Sequence, residues 1–481
     1  MLFNSFEFIF LFLPTVFLVY FLIGSIFNKE LAKVWLVISS LFFYSWWNIA
    51  YLPILLGSIG VNFYIGRIIT KVRKPKFLLS IGIIFNISLL AYFKYTDFFI
   101  SNINFALGLE FDLLYLALPL AISFFTFQQI AYLVDSYRNE TKQYRLIDYL
   151  LFVTFFPQLI AGPIVYHKEM MPQFNMSENF KMNSRNIAIG IFIFILGLFK
   201  KIVIADTFAK WANVGFDSSS QLTFYEGWIT SLSYTFQLYF DFSAYSDMAI
   251  GLALIFNIRL PLNFNSPYKS LSIQEFWRRW HMTLNTFLTK YLYIPLGGSK
   301  RGVYRTYINI LIVFTVSGVW HGAGWTFIVW GALHGIAVCI NRLWSRFEIK
   351  LPTVIAWFIT FNFVNIAWVF FRATSMTQAN NIIVSMFNVK ELLYIKNIQE
   401  YITLFDIPRV VMNINLSESL LAITCLSIAF IITLFIPNTY ELSQRKFNNI
   451  AGAGFIALVV SIILYVVFSD FSSSEFIYFN F

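Results

Sequence analysis

Apolar runs of roughly twenty residues recur from one end of the chain to the other, separated by short polar or basic connections. A helix that crosses a bilayer needs about 20 mostly apolar residues. Runs of that kind lie near 5–24, 34–50, 51–69, 77–93, 113–134, 150–165, 187–205, 228–257, 306–328, 329–345, 352–371, 417–436 and 452–470. Two of them are ambiguous. The run at 150–165 is short and carries Pro157 and Pro163, which suits a re-entrant element, and the run at 228–257 is long enough for a kinked pair. The pattern predicts about 10 to 13 membrane segments.

Composition turns that pattern into a class. The chain is 58% hydrophobic and 12% charged, where a soluble domain carries about 25% charged residues, and its mean hydropathy is +0.69. The expectation is an all-α polytopic membrane protein, with residues 1–481 forming one integral membrane domain. No polar stretch is long enough to bury a core of its own. The net charge of +10 is spread between the apolar runs, which points to topology and contact with lipid headgroups; no nucleic-acid partner is expected. Cys339 and Cys425 lie far apart in apolar surroundings and offer neither a disulfide framework nor a thiol metal site.

The N-terminal stretch MLFNSFEFIFLFLPTVFLVYFLIG lacks a basic flank and a small-residue cleavage site, and reads as a retained first span. The run RIITKVRKPK, with Arg67, Lys71, Arg73, Lys74 and Lys76, is expected on the cytoplasmic side. Counting spans from there puts the loop with Lys29 and Lys33 inside, the N-terminus and the 97–112 loop outside, and 137–145 inside. Internal repeats of the transporter kind are not evident. The moderately polar region 375–416 is expected to hold short interfacial helices.

The candidate chemistry lies in two stretches. Residues 257–302 carry too many charges for a simple span. Ser272 and Glu275 have the spacing of a capping box, and a helix is expected from there to about Tyr291, before Pro295 and the Gly297–Gly298 pair. Trp277, Trp280, Leu284, Leu288 and Tyr291 would form one apolar stripe, with Arg279, Thr283, Thr286 and Lys290 on another side and His281 close to the stripe. The helix alone fits either an interfacial element whose arginines meet lipid or one whose arginines receive a phosphorylated ligand. The second stretch, SGVWHGAGWTFIVWGALHG at 317–335, holds His321 and His334, two of only four histidines.

On one continuous helix the thirteen-residue gap leaves those two rings about 220° apart, which makes a shared metal site poor. An ionisable ring at membrane depth is costly unless it meets a partner or a cavity, so His321 is open to two readings, an interhelical hydrogen bond or a functional site. Gly318, Gly322 and Gly324 around it permit close helix approach or a local opening. His334 is nearer the packing reading, and His167, after AGPIVY, is expected in a loop.

Five ordered motifs then decide the resemblance: FFPQLIAGPIVYHKEMMPQF (155–174), YFDFSAYSDMAIGLALIFNIRLPLNFNSPY (239–268), FWRRWHMTLNTFLTKYLYIPLGGSKRG (276–302), SGVWHGAGWTFIVWGALHG (317–335) and AWVFFRA (367–373). The chain resembles the membrane-bound O-acyltransferase family, and within it the bacterial alginate O-acetylase branch with its relatives that act on peptidoglycan. The resemblance implies acyl transfer to a hydroxyl, on a ring of tilted membrane helices around a thinned centre with a funnel or tunnel. It places the catalytic core in 150–372.

The family's near-invariant histidine matches His321, and its second polar position, an asparagine or histidine, matches His281. In that light Arg278, Arg279, Lys290, Lys300 and Arg301 become candidates for the phosphates of acetyl-CoA or another acyl thioester donor, with no permanently bound cofactor and no metal. His334, Trp320, Trp277 and Asn285 become supporting or packing residues. The implied setting is a bacterial cytoplasmic membrane, with an envelope polysaccharide as acceptor and a secreted or surface-anchored SGNH-type acetyltransferase as partner. A second reading stays open, in which the chain relays acyl groups and that partner performs the final transfer.

Overall fold

The computed structural model describes residues 1–142, 144–218, 221–390, 418–445, 450–468 and 476–477. Those residues form helices, turns and extended connections with no strand among them. Eight helical stretches are long and apolar enough to cross a membrane: Glu7–Ile26, Ile49–Ile68, Pro75–Leu107, Ser184–Asp217, Phe224–Ile255, Val303–His321, Trp325–Trp344 and Thr353–Arg372. Two shorter apolar helices, Leu420–Phe435 and Gly454–Val466, follow.

Several expected boundaries move. The 34–50 run is the 17-residue helix Lys29–Ser45, and the 113–134 run becomes helical only at Ile122. The region at 150–165 is indeed broken, into Leu146–Thr154 and Phe156–Leu159 with Pro157 in the first turn of the second piece. Residues 228–255 lie in one helix, Phe224–Ile255, and not in a kinked pair, with 89% of its most apolar window buried. Its hydropathy comes from protein-facing side chains, which a lipid-facing helix of equal length would share. The helix Met376–Met386 falls in the expected interfacial region, and residues 391–416 of that region lie outside the described residues.

The chain divides into two units, Met1–Phe194 with Ser246–Leu262, and Ile195–Tyr245 with Asn263–Phe481. In the first, Phe8, Phe12, Phe43 and Phe156 form an aromatic knot. Asn62 and Asn86 exchange amide hydrogen bonds of 2.6 and 3.1 Å between two spans. Lys33, expected in a loop, lies within Lys29–Ser45, and its buried Nζ donates to Asp148 at 2.8 Å and Asn175 at 2.7 Å. His167, also expected in a loop, begins the short helix His167–Met170 and is buried between Asp135 and Tyr144.

In the second unit the helices Val303–His321 and Trp325–Trp344 pack as a hairpin. Gly318 and Gly331 meet there so closely that a Cβ on Gly318 would strike the Phe327 carbonyl and the Gly331 backbone. Only small residues permit such an approach. Thr353–Arg372 packs on the second arm of the hairpin and supplies Trp368 and Phe371 to the space around the histidines.

Candidate active site

The expected continuous helix from Ser272 to Tyr291 is interrupted at the residue that matters most. Ser272 Oγ accepts the Glu275 N–H and starts the helix Ile273–Arg279, and the Glu275 carboxylate accepts the Leu271 N–H. After Trp280 the chain turns through His281 at φ 42°, ψ 52°, and a second helix runs Met282–Leu288. A left-handed conformation at a residue other than glycine costs about 1–3 kcal/mol and persists where the surroundings enforce it.

Here the enforcement comes from residues 263–265. Asn265 N–H donates to the Arg279 carbonyl and Met282 N–H donates to the Asn263 carbonyl, both at 2.9 Å. The Asn263 side chain completes the joint. Its Oδ1 accepts the Thr283 N–H at 3.3 Å and the Thr283 hydroxyl at 2.9 Å, and lies 3.1 Å from His281 Nδ1.

That geometry fixes the ring chemistry. A backbone N–H can only donate, so the Asn263 atom facing Thr283 is its oxygen, and His281 Nδ1 must donate to the same oxygen. The neutral His281 ring therefore carries its lone pair at Nε2. Burial holds the imidazole well below its ordinary pKa, at about 3, so it is uncharged near neutral pH.

His321 ends the Val303–His321 helix, and Gly322 and Gly324 are extended, so the chain reverses before Trp325. His321 and His334 fall on the two arms of a hairpin, as the separate runs 306–328 and 329–345 suggested, and the hairpin brings them to one indole. Trp330 meets His321 edge-on at 5.1 Å between ring centres and His334 at 4.9 Å. On its other side His321 contacts Trp320 at 4.7 Å, and Trp320 lies 6.4 Å from the His281 ring. Phe242 meets His281 edge-on at 4.8 Å, and Phe371 meets His321 at 5.2 Å. Trp277 Nε1 donates to His334 Nδ1 at 3.2 Å. Trp277, Trp320, His281, His321 and His334 are all buried in one aromatic cluster. Asn285 is not drawn in as Asn263 is, although its backbone N–H donates to the His281 carbonyl.

The basic residues separate into committed and exposed groups. Arg279 is held by Glu275 at 2.9 Å and donates to the Asn265 carbonyl, so its charge is largely spent on the helix joint. Arg278, Lys300 and Arg301 are exposed. Lys290 lies 4.9 Å over the Tyr291 ring.

Two polar features escaped sequence reasoning. Asn263 has no signal beyond its place in LPLNFN. The second is a buried ion cluster, in which Lys201 lies 2.8 Å from Asp206 and 2.9 Å from Asp241. On a regular α-helix Lys201 and Asp206 would point about 140° apart, but the wide turn Lys200–Ala205 stacks residues five apart. Charges inside the 187–205 apolar run were the available hint. Among the described residues no cluster of three or more His, Cys, Asp or Glu side chains could hold a metal.

The family model for MBOAT, the membrane-bound O-acyltransferase family, matches residues 8–379. The chain belongs to the membrane-bound O-acyltransferase family. It is 46% identical to a peptidoglycan O-acetyltransferase of Helicobacter pylori, over 100% of this chain and 98% of that protein. It is 40% identical to a probable alginate O-acetylase of Pseudomonas aeruginosa, over 81% and 75%. A teichoic acid D-alanyltransferase of Streptococcus thermophilus is 27% identical over 52% and 68%. This O-acyltransferase is a multi-pass membrane enzyme, and His281, His321 and His334 lie buried among aromatic rings.

Proposed function

We propose that the enzyme transfers an acetyl group from a cytoplasmic thioester, of the acetyl-CoA class, to hydroxyls of an envelope polysaccharide outside the cytoplasmic membrane. Peptidoglycan is the favoured polymer, because the likeness to the peptidoglycan O-acetyltransferase runs the full length of both chains. The observation that carries the catalytic assignment is His321 at the hairpin turn, buried and ringed by Trp320, Trp330 and Phe371.

His321 takes the proton of the attacking hydroxyl as its oxygen bonds to the thioester carbonyl carbon. When the C–S bond breaks, the electron pair leaves with sulfur and the proton passes from His321 to that sulfur, giving the free thiol and the ester. His281, held with its lone pair at Nε2, orients the acceptor hydroxyl. Arg278, Lys290, Lys300 and Arg301 receive the donor's phosphates, with Arg279 contributing less because Glu275 already neutralises it. In the alternative reading, an SGNH-type partner outside the membrane performs the final transfer to the polymer.

The test is mass analysis of envelope glycans in cells carrying His321→Ala at unchanged protein abundance. Loss of O-acetyl groups is expected, and undiminished acetylation would sink the assignment. Labelled acetyl groups on the purified enzyme with a soluble glycan, with and without the secreted partner, decide between direct transfer and relay.

A further inference from the structure

The imidazole of His334 has its chemistry dictated by a neighbour. Trp277 Nε1 is a donor only, so the 3.2 Å contact makes His334 Nδ1 an acceptor. A neutral ring that accepts at Nδ1 carries its proton at Nε2, on the edge away from the Trp277 indole. Nε2–H is buried with no hydrogen-bond partner among the described residues, and so is the indole N–H of Trp330. Buried donors left without an acceptor are rare in folded proteins and demand an explanation. Packing does not require one, since an apolar side chain at 334 would fill the aromatic surroundings of Phe276, Phe314, Phe363 and Trp368 without it.

The position supplies the explanation. Trp330 is the ring that joins His334 to His321. Asn263 makes His281 carry its lone pair at Nε2, and Trp277 makes His334 carry a proton at Nε2. Hydroxyl acyl transfer needs that polarity, an acceptor for the hydroxyl proton and donors for the carbonyl oxygen.

We propose that His334 Nε2–H and Trp330 Nε1–H are the oxyanion-binding donors of the acyl-transfer centre, with Trp277 as the positioning residue that fixes the His334 tautomer. The proposal rests on the assignment of His321 as base. As the hydroxyl oxygen bonds to the carbonyl carbon, the π pair moves onto the carbonyl oxygen and the two N–H groups meet the charge. When the carbonyl re-forms, the C–S pair leaves with sulfur, which takes the proton from His321.

The experiment uses the purified full-length enzyme in two measurements. One is steady-state acetyl transfer from acetyl-CoA to a soluble glycan. The other is the infrared carbonyl stretch of a bound ketone analogue of acetyl-CoA, in which a methylene replaces sulfur and the carbonyl carbon is ¹³C. His334→Phe is expected to lower kcat about 10²–10³-fold with little change in donor KM, and to return the stretch toward its free-solution frequency. His334→Gln, which restores an N–H donor, should recover part of both. Trp277→Phe keeps an aromatic ring but releases Nδ1, and should lower kcat by less than His334→Phe does, because the donor remains but its tautomer is no longer fixed.

His321→Ala should lower kcat by about 10²–10⁴-fold yet keep the shifted stretch, which separates the two assignments. An active His321→Ala enzyme overturns the base assignment alone. Wild-type kcat in both His334→Phe and Trp277→Phe, or an unchanged stretch in His334→Phe, overturns the oxyanion site. Where His334→Phe fails to fold, Trp277→Phe and His334→Gln decide the matter by the same two readouts.

Discussion

His167 and His334 are buried to the same degree and are used in opposite ways. In the first unit, His167 has an oxygen at each ring nitrogen, Tyr144 Oη at 3.1 Å from Nδ1 and Asp135 Oδ2 at 3.1 Å from Nε2. Those bonds tie the turn at 166–170 to the helix Ile122–Tyr137 and to the connection before Leu146. In the second unit, His334 is fixed through Nδ1 alone and is otherwise surrounded by aromatic rings. A saturated network gives rigidity and has no capacity left for a substrate. A ring pinned at one nitrogen keeps its orientation and its second nitrogen.

The sharpest way to break this contrast is to remove one histidine from each unit. His321→Ala should lower kcat by about 10²–10⁴-fold and leave the thermal unfolding temperature in detergent unchanged. His167→Phe should do the reverse. It removes the 3.1 Å contact between His167 and Asp135, a loss of about 1–3 kcal/mol of stability, while kcat of the folded fraction stays near wild type. A large kcat loss in His167→Phe at unchanged stability would erase the distinction.

Asn263→Leu tests whether the left-handed turn at His281 is built for the ring. It removes the oxygen shared by His281 and Thr283, so stability should fall by about 1–3 kcal/mol for the donors left buried, with kcat reduced as well. A variant that loses stability but retains full kcat would reduce Asn263 to scaffolding.

A smaller effect follows from the burial of His281, which holds its pKa at about 3, below the ordinary 6.5 of an imidazole. Below pH 6.5 the unfolded chain gains a proton that the folded ring refuses until about pH 3. This group therefore costs nothing above 6.5, and its penalty grows as pH falls through that window. Unfolding temperatures from pH 7 to pH 4 should fall less steeply in His281→Asn than in the wild type. Parallel curves would show that the ring is protonated in the folded state. The smallest change is expected at the exposed cations. Arg278→Gln or Lys300→Gln should raise donor KM a few-fold at low salt, with kcat unchanged and the difference shrinking as salt screens the charge.

Much of the architecture was legible. Apolar run length located most of the spans, since a bilayer imposes a minimum length on any crossing helix. Ser272 was readable as a cap because capping is local, a matter of three residues. The glycines around His321 announced a close approach, and the ordered motifs announced the family. Hydropathy located the span Phe224–Ile255 but not its burial, because it reports how apolar a segment is and not whether lipid or protein covers it. It also failed to show Lys33 and Lys201 as buried ion pairs, because Asp148 and Asp241 are distant in sequence and Asp206 faces Lys201 only through the wide turn Lys200–Ala205.

The sequence by itself determined that this is a helical membrane acyltransferase and which histidines merit attention. The tertiary structure decided what those histidines are. Asn263, eighteen residues before His281, bends the helix there and places the proton on Nδ1. Trp277, fifty-seven residues before His334, puts the proton of that ring on Nε2. Helical periodicity describes the neighbours a residue has along its own helix, whereas a tautomer is set by whichever donor or acceptor the fold brings to the ring.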